Sequence, residues 1–309
     1  MNITTELSQK VDFLEKPTQK KLRNEFLAEC HDNNDNYKKA VKARTCGTYL
    51  EMRLYSNDKA ELHNANFCKA RLCPYCNWRL SLKRFANLSA VTTLSKSNKY
   101  QLLFLTLTAK NVPGSELKNE IKRFFNSWRN LTRYSEEFNK AVQGWFRALE
   151  VTYNKNEDTY HPHLHIVLAV KSTYFKPDYY INQKKWAEIW AHYLDVDYSP
   201  MVHICKTFTK KKNSSPEKEA SKYTVKDTDY LIENDLNLSS KVVQILDDSL
   251  RRVRLIAYGG ILKKYYAEMK LNEENLTDDL ENITEEIAYV IKKYRWNFGS
   301  KIYQEYIED

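Results

Sequence analysis

No stretch of this 309-residue chain approaches the ~20 uncharged apolar residues that a membrane-spanning helix needs. The opening residues, MNITTELSQKVDFLEK, lack the apolar core of a signal peptide and are polar and mixed in charge. A cytoplasmic protein with no membrane partner is therefore expected. Glycine is scarce, at 6 residues, while Lys, Asn, Ile and Tyr are abundant. An AT-rich coding sequence produces that bias by itself. Internal repeats and low-complexity tracts are absent, and 42% hydrophobic residues mark most of the chain as globular rather than disordered. The length corresponds to roughly two domains at about 150 residues each.

Positive charge is present in excess. Lys and Arg total 49 against 40 Asp and Glu, a net charge of +9. Such a surface favours a polyanion such as nucleic acid. The coding bias is a rival source of lysine, so charge alone does not decide the partner.

Along the chain, residues 1–40 read as an N-terminal helical segment and 41–95 as a cysteine-rich module. Residues 96–270 read as the main domain and 271–309 as a C-terminal helical segment. Within the main domain, the apolar run at 98–112 predicts a buried strand. Leu117, Ile121, Phe124, Phe125 and Trp128 predict a helix over 115–141. Residues 145–153 and 160–170 predict two strands joined as a hairpin by NKNEDT. A helix over 181–194, a strand over 198–207 and a helix beginning near Pro216, with Ser215 as its N-cap, complete the pattern. The regular strand–helix alternation of a continuous parallel sheet is missing. The order suits an α+β fold, an antiparallel sheet with helices in a split βαβ arrangement.

The sharpest local feature is His161-Pro162-His163-Leu164-His165. On a strand alternate side chains share a face, so His163 and His165 project together. Two imidazoles side by side on rigid backbone make half a metal site. Glu150 lies in an otherwise apolar run on the preceding strand, where an unpaired charge is costly. If the two strands pair, Glu150 sits beside the histidines; otherwise it faces solvent. Mixed nitrogen and oxygen ligands suit Mn²⁺ or Mg²⁺ that also holds phosphate oxygens. His161 shares the parity, although Pro162 suggests that the strand begins there.

A second feature is Glu219-Ala-Ser-Lys222-Tyr223-Thr-Val-Lys226. On a helix Glu219, Tyr223 and Lys226 share a face. A tyrosine is about one part in a thousand ionised at pH 7. Lys222 and Lys226 would stabilise the phenolate and the charge that develops on an attacked phosphate. Glu219 is placed to act as general base for water in a later cleavage. The bland alternative is a solvated helix face.

FLTLT (104–108), HPHLH (161–165) and EASKYTVKDTDY (219–230) occur in that order, after CGTYL and FCKARLCPYCNWRLS. Together they resemble the conserved motifs of plasmid rolling-circle replication initiators of the HUH endonuclease superfamily, in the group from small Gram-positive plasmids. The resemblance spans residues 44–264. It implies an HUH-type antiparallel sheet of ferredoxin-like topology with flanking helices and a small zinc module. It implies that His163 and His165 bind metal with Glu150 as acidic ligand. It also implies that Tyr223 nicks one strand of origin DNA, leaving a 5′-phosphotyrosine and a free 3′-hydroxyl primer. Glu219 then stands where other initiators carry a second tyrosine and promotes hydrolysis at termination. Tyr230 is a rival nucleophile within the same motif. Double- and single-stranded origin DNA, a host replicative helicase and a polymerase are the implied partners, and a homodimer is compatible with this reading.

Cys68, Cys73 and Cys76 are closely spaced, and Cys46 supplies a fourth thiol, with His63 as the alternative. In a reducing cytosol such clusters point to metal before disulfide, and four thiolates suit structural Zn²⁺. A redox pair is disfavoured because no thioredoxin-like strand–helix unit surrounds it. Candidate DNA contacts are Lys69, Arg71, Arg79, Lys83 and Arg84 around the cysteines. Others are Lys210, Lys211 and Lys212 in a basic loop, and Arg251, Arg252, Lys263 and Lys264 around Gly259–Gly260. The diglycine is either a close approach to phosphate or a turn. A relaxase or single-tyrosine transposase would share the histidines and the tyrosine, but not the zinc module and Glu219. A non-catalytic zinc-containing DNA-binding regulator would need neither the histidine pair nor the tyrosine.

Overall fold

A computed structural model describes residues 13–56, 59–206, 225–273, 276 and 288–307. The chain divides into two compact units, Met1–Arg79 with Leu276–Asp309, and Leu80–Asn275.

The first unit opens with α1 (Glu15–Asn33) and α2 (Tyr37–Thr45). Pro17 falls in the first turn of α1, where a missing N–H costs nothing. Strands β1 (Tyr49–Tyr55) and β2 (Ala60–Ala65) then pair antiparallel. Helix α3 (Pro74–Ser97) begins on a proline, whose fixed φ suits the first helical position. The boundary between the units falls within this helix.

The second unit continues with β3 (Gln101–Thr108), the short β4 (Val112–Pro113) and α4 (Gly114–Tyr134). Leu117, Ile121, Phe124, Trp128 and Leu131 recur at helical spacing and are buried, which gives α4 its apolar face. The helix expected over 115–141 divides at Ser135, whose side chain caps α5 (Glu136–Ala141) by accepting from the Phe138 N–H. Strands β5 (Val142–Asn154) and β6 (Thr159–Val170) form the expected hairpin. Helix α6 (Gln183–Leu194) is capped by Asn182 and ends at Asp195 in the left-handed region. After β7 (Val202–Lys206) come α7 (Asp227–Tyr230), α8 (Leu236–Leu250), β8 (Ile256–Gly259) and α9 (Gly260–Glu268). The expected helix start at Pro216, with its cap at Ser215, lies outside the described residues.

The sheet of this unit runs β7-β3-β6-β5-β8, with every neighbour antiparallel. β6 is inserted between β3 and β5, which α4 and α5 connect. That is the split βαβ arrangement, and the α+β class is as expected. Alternation gives the sheet two faces. Phe104, Phe146, Ala148, Val167 and Ala169 pack on one face with Leu88 and Val91 of α3 and Leu262 and Tyr265 of α9. Leu164, Ile166 and Leu168 are fully buried on the other face, where Trp128 of α4 meets Trp145 edge-on at 5.3 Å.

The chain then returns to the first unit as β9 (Tyr289–Asn297) and β10 (Ile302–Glu305), completing a sheet in the order β10-β9-β1-β2. This corrects the expected C-terminal helical segment. Tyr294 and Trp296, two residues apart, are both buried, a period that a strand satisfies and a helix does not. The diglycine is also decided. A Cβ on Gly259 would lie 2.2 Å from Trp145 Cε2, and one on Gly260, at φ +55, would lie 2.3 Å from the Gln143 carbonyl oxygen. The pair serves close backbone packing on β5, where only glycine fits. Among the described residues, no helix is long and apolar enough to cross a membrane.

Candidate active site and cysteine centre

The hairpin register places Glu150 opposite His163 and Ala148 opposite His165. All three polar side chains therefore emerge on the same sheet face. His163 Nε2 and His165 Nε2 lie 3.0 and 2.6 Å from the same oxygen, Glu150 Oε2. Glu150 and His165 are buried and His163 is nearly so. Burial pushes the Glu150 carboxyl up, but hydrogen bonds and charge from His163 and His165 outweigh it and hold it well below the usual carboxylate range.

The ring orientations suit a cation. His163 Nδ1 lies 3.3 Å from the His161 carbonyl oxygen, which can only accept. In the tautomer protonated at Nδ1 the Nε2 lone pair faces the carboxylate oxygen, an arrangement that a positive ion between them would satisfy; in the other tautomer Nε2–H donates to Glu150. Ligand atoms at about 2.1 Å from a metal and at right angles stand about 3 Å apart, close to the spacings observed. Thr106 Oγ1 lies 3.4 Å from His165 Nδ1 and Phe104 stacks on that ring, so the second imidazole is also held from behind. Burial, with His163 beside it, pushes the His161 imidazole down.

Lys226 Nζ lies 3.6 Å from the other oxygen of Glu150. Near it, burial pushes the Asp229 carboxyl up; Lys226 opposes that push and Glu150 adds to it. Tyr223, Glu219 and Lys222 lie outside the described residues. Tyr230 is fully buried, which removes its phenol as a rival nucleophile in this structure.

In the first unit Cys46, Cys68, Cys73 and Cys76 converge, with every pair of sulfurs within 4.8 Å. Three separations are 3.5 Å (Cys46–Cys73), 3.6 Å (Cys46–Cys76) and 3.8 Å (Cys68–Cys76). Tetrahedral sulfurs at about 2.3 Å from Zn²⁺ stand about 3.8 Å apart. The backbone N–H groups of Cys68, Ala70 and Cys76 donate to cluster sulfurs at 3.4 Å each. Hydrogen bonds from the other three cysteines push the Cys68 thiol down, while Cys73 is pushed up by burial and Cys76 by its bonds to Cys46 and Cys68.

Two buried neighbours fit a metal-bound cluster better. Asn24 Oδ1 lies 3.2 Å from Cys73 Sγ while its Nδ2 has no partner among the described residues. Exchanging the amide ends offers an N–H to the sulfur, as a thiolate requires. Lys21 is fully buried and donates to the Arg44 carbonyl. Burial pushes its ammonium down, and Glu25 and three of the cysteines push it back up. A buried cation fits four thiolates around a divalent ion, whose net charge is −2. His63, the alternative fourth ligand, is not part of the cluster.

The family profile described as replication protein matches residues 59–305. The chain belongs to the replication-protein family. A "Protein rep" of Lentilactobacillus hilgardii is 36% identical over 277 residues, covering 85% of this chain and 87% of that protein. One from Bacillus sp is 39% identical over 254 residues, covering 76% and 82%. One from Staphylococcus aureus is 35% identical over 228 residues, covering 73% and 98%. No solved structure matches the chain significantly. The resemblance drawn from the motifs of this replication protein is borne out.

The basic residues expected to face DNA divide into groups. Arg79 and Arg84 are corrections: both are buried, Arg79 donating to the Leu276 carbonyl at 3.0 Å and Arg84 pairing with Glu273 at 3.1 Å. Lys69, Arg251, Arg252, Lys263 and Lys264 are exposed, and Arg71 and Lys83 are half-buried. Lys210, Lys211 and Lys212 lie outside the described residues. Sequence reasoning missed Thr106 and Asn24. Threonine at 106 and 108 in an otherwise apolar strand was a signal for the first; Asn24 left none.

Proposed function

We propose that this replication protein initiates plasmid rolling-circle replication by nicking one strand of origin DNA through Tyr223. The carrying observation is the convergence of Glu150, His163 and His165 at a point that Lys226 also reaches. Tyr223 stands three residues before Lys226 in the same sequence motif, which supports its assignment as the nucleophile. A divalent ion, Mn²⁺ or Mg²⁺, held by Glu150, His163 and His165 would polarise the scissile phosphate. Lys222 and Lys226 favour the phenolate of Tyr223. Its oxygen attacks phosphorus as the bond to the 3′-oxygen breaks. The phenolic proton goes to solvent, and the 3′-oxygen leaves and is protonated. The products are a 5′-phosphotyrosine and the 3′-hydroxyl that primes synthesis. Glu219 serves the later cleavage at termination by taking a proton from water.

Cys46, Cys68, Cys73 and Cys76 hold structural Zn²⁺ in this reading. The exposed basic residues, with Lys210, Lys211 and Lys212, contact phosphates of double- and single-stranded origin DNA. A host helicase unwinds the duplex and a polymerase extends the primer.

The test is a single-stranded oligonucleotide from the plasmid origin incubated with Mn²⁺. A covalent adduct is expected with the wild-type chain, is lost with Tyr223→Phe and persists with Glu219→Ala. An adduct that survives Tyr223→Phe refutes the assignment.

A further inference from the structure

Three neighbouring strands carry a polar side chain at one level of the sheet. His165 on β6 pairs with Thr106 on β3, and Thr106 pairs with His203 on β7. Paired residues share a face. Cys205, two residues from His203, packs against the cluster that contains Phe104, Ala148 and Val167. His203 therefore stands on the face that bears Glu150, His163 and His165. β7 is an edge strand and His203 is exposed. Among the described residues nothing hydrogen-bonds or ion-pairs with its side chain. Two strand spacings of about 4.8 Å place its backbone about 10 Å from that of His165. Successive phosphates of one strand stand farther apart than the ~3.4 Å axial rise of a duplex, so that is a reach of one or two nucleotides along a single strand. Beside it Met201 is 77% exposed, the most exposed large apolar side chain among the described residues of the second unit, and its carbonyl accepts from Thr108 Oγ1 at 2.9 Å.

We propose that His203 holds a backbone phosphate of the single strand one or two nucleotides from the scissile one, so that the strand runs over the β7 edge. The proposal rests on the nicking reading. An imidazole N–H is a phosphate donor in either protonation state. Its location on a rigid strand, rather than on a loop, fixes the offset between the held phosphate and the metal ligands. The competing explanation is a solvated histidine that merely keeps an edge strand polar.

Fluorescence anisotropy with a labelled dT20 oligonucleotide, using the full chain with Mn²⁺, separates the two. His203→Ala is expected to weaken dT20 binding by about tenfold, the loss of one hydrogen bond to a charged group. His203→Gln, which keeps a donor, is expected to recover most of it. Thermal midpoint and calorimetric Mn²⁺ affinity should match wild type in both variants. A dT20 affinity within about twofold of wild type in His203→Ala overturns the proposal. So does a loss accompanied by weakened Mn²⁺ binding, because His203 would then act through the metal ligands. Failure of the nicking reading shows separately, as absence of the wild-type covalent adduct, since the dT20 titration requires no cleavage.

Discussion

Replacing Cys76 with serine removes one of the four sulfurs of the cysteine cluster. Cys76 Sγ lies 3.6 Å from Cys46 Sγ and 3.8 Å from Cys68 Sγ, so a single ion can be shared among them. Serine is close in shape but offers a hydroxyl that stays protonated. Structural zinc contributes about 10–16 kcal/mol, in apparent terms, to the folding of small zinc modules near neutral pH. Whole domains are stable by only about 5–15 kcal/mol. Losing even a third of the zinc contribution, about 3–5 kcal/mol, therefore removes much of the margin of the first unit. At about 4 °C per kcal/mol the melting midpoint should fall by more than about 10 °C. Elemental analysis of purified protein should find one zinc per chain in wild type and almost none in Cys76→Ser. Titration with an organomercurial should release the wild-type zinc as four thiols react. A wild-type chain free of zinc, together with a Cys76→Ser variant that melts within about 2 °C of it, would refute the reasoning.

Other perturbations test the rest of the account. Glu150→Gln removes the carboxylate that both imidazoles face, and its Mn²⁺ affinity by calorimetry should fall by more than the roughly 10–100-fold seen for outer-shell changes; unaltered binding would exclude Glu150 as a ligand. Gly259→Ala drives a Cβ to 2.2 Å from the Trp145 ring and should cost about 1–3 kcal/mol; an unchanged thermal midpoint would show that the diglycine is not there for packing. Arg84→Met breaks the ion pair with Glu273 and should lower the midpoint while leaving the salt dependence of DNA binding unchanged; a shallower salt slope would restore Arg84 as a phosphate contact.

Much of the second unit was legible from alternation. The HxH spacing sets two imidazoles on one face wherever it lies in a strand, and a short polar turn between two β-prone runs fixes a hairpin register that brings Glu150 opposite His163. What was illegible depends on partners distant in sequence. The strand at 289–297 exists because it pairs with β1, Leu50 opposite Tyr294, and no local pattern announces a partner so remote. Arg79 and Arg84 read as DNA-facing because arginine is seldom buried, yet their partners Leu276 and Glu273 lie 197 and 189 residues further along the chain. Ser135 was the opposite case, a local cap signal inside a longer apolar periodicity that concealed it.

The account stands on the phenol at position 223 serving the ligand cluster on the sheet. The most direct measurement is peptide mapping by tandem mass spectrometry of the Mn²⁺-dependent adduct with origin DNA. The account predicts that the nucleotide-bearing peptide carries its phosphate on Tyr223 and that the same peptide is unmodified in His165→Ala. A phosphate mapped to Tyr230 or to any other residue, or an adduct that forms without His165, would contradict it.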